Sequence, residues 1–455
     1  MKHTQHERAT FGSSLGVILA SAGSAIGLGN IWRFPYETGQ NGGAAFLLIY
    51  ILSVLLLGLP VLMTEFFIGR AARSNPAGAF RKLAPGSHWQ LVGYNGVLAA
   101  VLILGFYGVV AGWTLEYIWQ SLDGTIAATG SSEAFTRDFE NFSSSLFRPV
   151  LWMAVFMIMT HVIIVSGVKK GIEKYSKIMM PLLFVILLVL CLRSVTLPGA
   201  VAGLRFLFKP DFGKITSEVV LSAVGQAFFS ISVGMGCMIT YASYFGKETD
   251  IQKTALQVTL LDTLVAVMAG VIIFPAAASF GIATTKGPEL VFITLPNIFQ
   301  QMLLGSVWSA IFFLLLAIAA LTSTISIHEV ITAYVSEHYR MSRRNAARTV
   351  TAIVTALGIV ASLSLGVWSG YKVFGLTLFD LLDYVTAKIM LPLGGMFTCI
   401  FVGWRIDRTL LHDEMTNHGT VRFWMFRLFV FMIKYIAPIV IALVFLNELG
   451  VFGKA

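Results

Sequence analysis

Long unbroken apolar runs dominate this chain, and they leave few folds open to it. Eleven stand out, at residues 12–37, 43–70, 90–122, 147–166, 172–194, 214–243, 254–281, 305–338, 346–367, 376–403 and 421–449. A bilayer's hydrocarbon core is about 30 Å thick, so a helix that crosses it needs roughly 20 apolar residues. Backbone polar groups inside lipid must be paired within the protein, which leaves helices and closed barrels. Barrel strands would show as short alternating segments. These runs are continuous, so an all-α membrane protein with about eleven transmembrane helices is expected. Composition agrees, with 56% of the 455 residues hydrophobic and 12% charged, against about 25% charged in a soluble domain. Three cysteines make no disulfide framework. The 35 Phe and 9 Trp exclude a disordered chain. The polar start MKHTQHERAT leads into the first run with no cleavage site, so no signal peptide is expected.

A net charge of +9 and a pI near 9.4 ordinarily suggest a nucleic-acid partner. The positions of the charges exclude it. With the N-terminus inside, 20 of the 32 basic residues fall on cytoplasmic connections: Lys2, Arg8, Arg70, Arg73, Arg81, Lys82, Lys169, Lys170, Lys174, Lys177, Lys247, Lys253, Arg340, Arg343, Arg344, Arg348, Arg405, Arg408, Arg422 and Arg427. Nine fall outside, Lys286 and Lys454 among them, and Arg33, Lys388 and Lys434 lie within runs. The surplus follows the positive-inside rule. The expected topology is a cytoplasmic N-terminus (1–11) and, with an odd span count, an extracellular C-terminus, in a cell membrane with lipid as the surrounding partner. Three longer connections stand at 123–146, which is Ser-rich, at 195–213, and at 282–304 with Gly287, Pro288 and Pro296.

Two runs are interrupted. The first carries Gly23-Ser24-Ala25-Ile26-Gly27-Leu28-Gly29-Asn30, and the sixth carries Ser230-Ile231-Ser232-Val233-Gly234-Met235-Gly236. Gly in a helix interior costs about 1 kcal/mol relative to Ala. Small residues also serve close helix packing in membranes. The two breaks lie five runs apart, which fits an inverted pair of five-helix repeats over 12–194 and 214–403, followed by an eleventh helix at 421–449. Paired breaks in corresponding halves point to a transporter's binding site.

At these residues the sequence resembles the neurotransmitter:sodium symporter family, in particular its bacterial amino-acid transporters. The matching stretches are Ala25–Pro35, Asn41-Gly42-Gly43, Gly58-Leu59-Pro60 with Glu65, Gly225-Gln226-Ala227-Phe228-Phe229-Ser230, Thr240-Tyr241-Ala242-Ser243-Tyr244 and Leu321-Thr322-Ser323. The resemblance runs through essentially the whole chain. It implies a symporter that uses sodium, with two ions, to move a neutral amino acid inward by alternating access.

One sodium would take the carbonyls of Gly23, Ile26 and Ala319 and the hydroxyls of Thr322 and Ser323. The other would take the Ala25 carbonyl, the Asn30 side chain, Ser230 and the substrate carboxylate, which would couple the two solutes. Many relatives add an Asn from the seventh helix. Here that stretch reads Thr259-Leu260-Leu261-Asp262-Thr263. A carboxylate inside a span is costly and marks function. Asp262 would supply the negative charge that animal relatives draw from chloride, so transport is expected to be chloride-independent. The other reading of Asp262 is a carboxylate paired with a neighbouring hydroxyl.

The substrate would sit between the breaks, at Ser24, Ala25, Leu28 and Gly29. Helix ends there offer N–H groups to a carboxylate. Monoamine carriers of the family place an Asp where Gly27 stands; Gly favours an amino acid. Tyr107 would bond the carboxylate, Phe229 would close over it, and the Ser24, Phe229 and Ser230 carbonyls would receive the ammonium. Ile103, Ser232, Met235, Ser323, Ser326 and Ile327 complete an uncharged pocket suited to a hydrophobic or aromatic side chain.

The resemblance also implies gates. Arg33 with Asp383 would close the outside. Arg8 with Glu337, supported by Tyr244, would close the inside. Gly171 and Pro181 would let the inner end of the fifth helix unwind. Lys388 and the pair His328-Glu329 depart from the family pattern; Lys388 could meet Asp383 or Glu329 or turn outward, and Glu329 is a candidate proton acceptor. The same fold also serves amine carriers, and an amino-acid sensor would bind without moving solute. An enzyme is not expected, because Glu65, Glu116 and Asp262 are dispersed and no metal-type His/Cys cluster is present. Substrate rank order, ion stoichiometry, proton countertransport and oligomeric state carry no signal in the sequence.

Overall fold

The computed structural model describes residues 8–282 and 289–451. Lys2, Lys286, Gly287, Pro288 and Lys454, used above, lie outside them. Among the described residues the protein is all-helical, with Val373–Leu376 an isolated bridge. Helices α1 (Ser14–Ala25) and α2 (Gly29–Gln40) meet at a 55° bend. Next come α3 (Ala44–Ala72), α4 (Gln90–Leu122), α5 (Arg148–Val165) and α6 (Val168–Val195). The sixth run divides into α7 (Ser217–Ser230) and α8 (Cys237–Ala242). Then follow α9 (Ile251–Phe280), α10 (Gly305–His338), α11 (Arg343–Leu363), α12 (Leu378–Arg405) and α13 (Phe426–Glu448). Among the described residues nine helices are long and apolar enough to cross a membrane, ten if α1 and α2 form one crossing. Neither α7 nor α8 is long enough alone.

Short side chains start several of these helices. Ser13 accepts from the Gly16 N–H, Asp250 from Lys253 and Ser342 from Asn345, each satisfying an orphan donor of the first turn. The apolar faces divide by destination. Along α6, Leu182, Val185, Leu188 and Leu192 form an exposed stripe at three- and four-residue spacing, as a lipid-facing helix requires. Along α10, every residue from Ser323 to Thr332 is buried, so its hydroxyls look inward.

Both breaks are narrower than the glycine spacing suggested. Helix α1 runs through Gly23 to Ala25, and the chain turns extended at Ile26 (φ −70°, ψ 113°). The second break holds Ser232, Gly234 and Gly236 at φ of 53°, 88° and 79°. Left-handed backbone is cheap for Gly and strained for Ser. A Cβ at Gly234 would come within 3.1 Å of the Gly395 nitrogen of α12.

The long connections carry helices of their own, at Ser132–Ser143, Ala200–Phe208 and Leu290–Gln300. The first is amphipathic and capped by Ser131. It lays Phe139 against Trp113 at 5.3 Å and stacks it on Phe292 at 5.8 Å, roofing one end of the bundle with aromatics.

Candidate functional site

The two breaks face each other. Ser232 Oγ donates to the Ser24 carbonyl (3.2 Å), so its left-handed backbone aims a hydroxyl across the gap. Helix α10 closes a second side: Ser323 Oγ donates to the Ile26 carbonyl (3.3 Å) and Thr322 Oγ1 to the Ala319 carbonyl (2.9 Å). A Cβ on Gly23 would stand 3.3 Å from Thr322 Cβ, so glycine lets α1 approach α10. Ser323 thus joins α10 to the first break at Ile26, and Gly23 lies against Thr322, whose hydroxyl bonds within its own helix to Ala319. Such a set of carbonyls and hydroxyls suits a dehydrated cation.

On the opposite side of the break, Asn30 is fully enclosed. Its Oδ1 accepts from the Gly27 N–H (3.1 Å), and its Nδ2 donates to Asp262 Oδ1 (2.8 Å) and Ser230 Oγ (3.0 Å). Ser230 Oγ in turn donates to Asp262 Oδ2 (2.5 Å) and receives the Tyr50 hydroxyl (3.1 Å). Asp262 is therefore a carboxylate paired with a neighbouring hydroxyl, inside a fully buried polar cluster. Tyr50 was not anticipated, because a tyrosine in an apolar run looks like packing.

Tyr107 reaches the first break from α4, its hydroxyl accepting from the Leu28 N–H at 3.3 Å. A Cβ on Gly27 would lie 2.6 Å from Ser323 Oγ and 3.3 Å from the Tyr107 hydroxyl. One on Gly29 would lie 2.7 Å from the Phe229 ring. The missing side chains thus leave room for Ser323 and Tyr107 at Gly27 and for the Phe229 ring at Gly29. Ile103, Met235, Ser326 and Ile327 are all buried. Ser326 Oγ is turned back to the Ser323 carbonyl (2.8 Å). Two further polar side chains hold the breaks. Glu65 accepts from the Gly234 N–H (2.6 Å), and Gln226 reaches the Gly29 carbonyl at 3.5 Å. Both lie in stretches that carry the family resemblance, but neither was assigned a role.

At the inner end Arg8, Glu337 and Tyr244 come together. Arg8 pairs with Glu337, donates to Ser243 Oγ (2.8 Å) and lies over the Tyr244 ring at 4.7 Å. Glu337 also accepts from Ser74 Oγ, the Asn75 N–H and Asn75 Nδ2. This end is locked. Glu329 is held on both oxygens: Arg343 donates to each (2.8 and 2.6 Å) and Tyr244 donates to one of them (2.6 Å). His328 bonds Thr332 and Thr351, and Thr351 also meets His161.

The outer end differs from expectation. Arg33 lies 3.8 Å from Glu37 and 3.9 Å from Glu448, with its guanidinium 4.2 Å from the Phe229 ring centroid. No ion pair joins it to Asp383 among the described residues. Lys388 meets neither Asp383 nor Glu329; its Nζ lies 3.2 Å from Glu448. Glu448 sits about 60 residues along the chain, a separation no local spacing reveals.

Comparisons with known proteins identify the family. The model of the sodium:neurotransmitter symporter family matches residues 8–141 and 127–454. An uncharacterized sodium-dependent transporter of Bacillus subtilis, YhdH, is 39% identical over 97% of this chain and 98% of its own length. Another from Haemophilus influenzae is 35% identical over 99% and 100%. The crystal structure of MhsT in complex with L-phenylalanine superposes with a TM-score of 0.88 at 45% identity, covering 97% of this chain and 100% of that one. With two broken helices meeting at converging oxygens inside a multi-pass bundle, the chain belongs to the sodium:neurotransmitter symporter family and is a sodium-dependent transporter.

Proposed function

We propose that this protein is a symporter that couples the entry of two sodium ions to that of a neutral hydrophobic or aromatic L-amino acid. The reading rests chiefly on the residues that the family resemblance assigns to the substrate's side chain, Ile103, Met235 and Ile327, all of which are buried and uncharged. The phenylalanine bound by MhsT supports the same substrate class. The breaks would take the charged ends of the amino acid, Tyr107 and the N–H groups of Leu28 and Gly29 toward the carboxylate, and the Ser24, Phe229 and Ser230 carbonyls toward the ammonium. One sodium would sit among Gly23, Ile26, Ala319, Thr322 and Ser323. The other would sit beside Ala25, Asn30, Ser230 and Asp262 and share the substrate carboxylate, so each solute would raise the other's affinity.

Counted with α7 and α8 as one crossing, the spans number eleven, in two inverted repeats over 12–194 and 214–403 plus the helix at 421–449. The excess of Lys and Arg on one set of connections supports a cytoplasmic N-terminus and an extracellular C-terminus. Alternating access would then release Arg8 from Glu337 on the inside after Arg33 and Asp383 have closed the outside.

Asp262 would make chloride unnecessary. Uptake measured in gluconate should equal that in chloride. In Asp262→Asn the donors Tyr50, Asn30 and Ser230 remain, so uptake should become chloride-dependent by about tenfold or more. Loss of wild-type uptake on chloride removal would overturn this assignment. For the substrate, L-Phe, L-Trp and L-Leu should compete for sodium-dependent binding, while acidic and basic amino acids should not. Failure of all three apolar competitors would reject the pocket reading.

A further inference from the structure

Of the two acids beside Arg33, one comes from its own helix, Glu37, and the other from the last helix. Glu448 stands at the end of α13, 3.9 Å from Arg33 and 3.2 Å from Lys388. With Arg33, Phe229, Val233, Ala387 and Leu391 it lines a cleft directly outside the proposed substrate pocket. Asp383 stands near the same charges, Arg33, Lys388, Asp380 and Glu448, yet its carboxylate forms no ion pair or hydrogen bond among the described residues. Arg33 itself is held only loosely, at nearly equal distances from Glu37 and Glu448 and face-on over Phe229. The inner lock is engaged in the same molecule.

We infer that Glu448 is a positioning residue of the outer gate: it holds Arg33 away from Asp383 while the outer path is open, and Lys388 sets the strength of that hold by sharing Glu448. The inference builds on the proposed gate of Arg33 and Asp383. Glu448 and Asp383 compete for an arginine that Glu37 holds in either case (3.8 Å), so removing either of the two shifts the open–closed balance by the free energy of the lost pair. A lysine on the first acid weakens its grip on the arginine. Glu448→Gln therefore favours the closed outer gate and Lys388→Met favours the open one. A residue that merely braces α12 against α13 would shift the balance the same way in both variants.

The test uses Ala387→Cys, which lines the cleft, in the full-length protein. The native Cys191, Cys237 and Cys399 are all buried, so a membrane-impermeant thiol reagent reads this position. Labelling is measured in sodium without amino acid, which separates the result from any error in the substrate assignment. Expected is a fall of about threefold in Glu448→Gln and a rise in Lys388→Met, in keeping with partly exposed pairs. Glu448→Gln combined with Lys388→Met should follow the first variant. Shifts in the same direction, or no shift in either while Asp383→Asn raises labelling, would overturn the inference. Should Glu448→Gln fail to fold, Glu448→Asp supplies the same sign, and a Lys388→Met protein that does not rise is sufficient refutation. Sodium-gradient uptake by wild type, measured in parallel, reports on the symporter reading itself; uptake without the opposed labelling shifts would reject the role of Glu448 alone.

Discussion

At the scale of single residues, the site is built as much from missing atoms as from present ones. Gly27 leaves the space that Ser323 and Tyr107 fill, a Cβ there lying 2.6 Å from the serine hydroxyl. Gly27→Asp should abolish amino-acid binding through this collision and through an added anion beside the carboxylate end of the pocket. A binding isotherm on purified, folded protein checks it. Thr322 and Ser323 now bond to the carbonyls of Ala319 and Ile26, the oxygens with which they would share an ion. Thr322→Ala combined with Ser323→Ala should weaken sodium affinity by about tenfold or more, which is about 1.4 kcal/mol, and equilibrium sodium titration of binding measures it. Residues with unusual chemistry were legible: Asp262, Arg33 and Lys388 are charges inside apolar runs. Their partners were not. Tyr50, Ser74, Asn75 and Glu448 look ordinary in sequence, and only the fold brings them to Ser230, Glu337 and Lys388.

At the scale of elements, the two breaks were visible because Gly and Ser interrupt apolar runs, although the helical geometry persists to Ala25 and Ser230. The helices inside the long connections were missed, since a Ser-rich stretch such as 131–145 serves equally well as a loop or a capped amphipathic helix. The inner end of α6 is helical, with a π turn over Val168–Glu173, and Glu173 holds the chain before α1 through Gly12 and Ser13. Opening this end requires breaking those bonds. Pro181 lies inside the helix and removes one backbone bond, so Pro181→Ala should slow sodium release several-fold in stopped-flow measurements. Gly171→Ala is the poorer test, because its Cβ would collide with the Ile163 carbonyl.

At the scale of the whole molecule, Arg8 is paired with Glu337 while Arg33 is shared loosely between Glu37 and Glu448, and on the proposed function this is the asymmetry that alternating access would use. Glu337→Gln should loosen the lock and speed amide hydrogen exchange in residues 8–25 by about tenfold, leaving exchange in α4 unchanged. Low overall charge goes with the helices' exposed apolar stripes, and Glu65, Asp262 and Glu329 are among the few charged residues that lie buried. The most direct test of sodium-coupled symport is uptake of labelled L-phenylalanine or L-tryptophan into proteoliposomes under an imposed inward sodium gradient. Accumulation above the outside concentration that collapses when the gradient is dissipated is the expected result. Sodium-dependent binding without any uptake would contradict it.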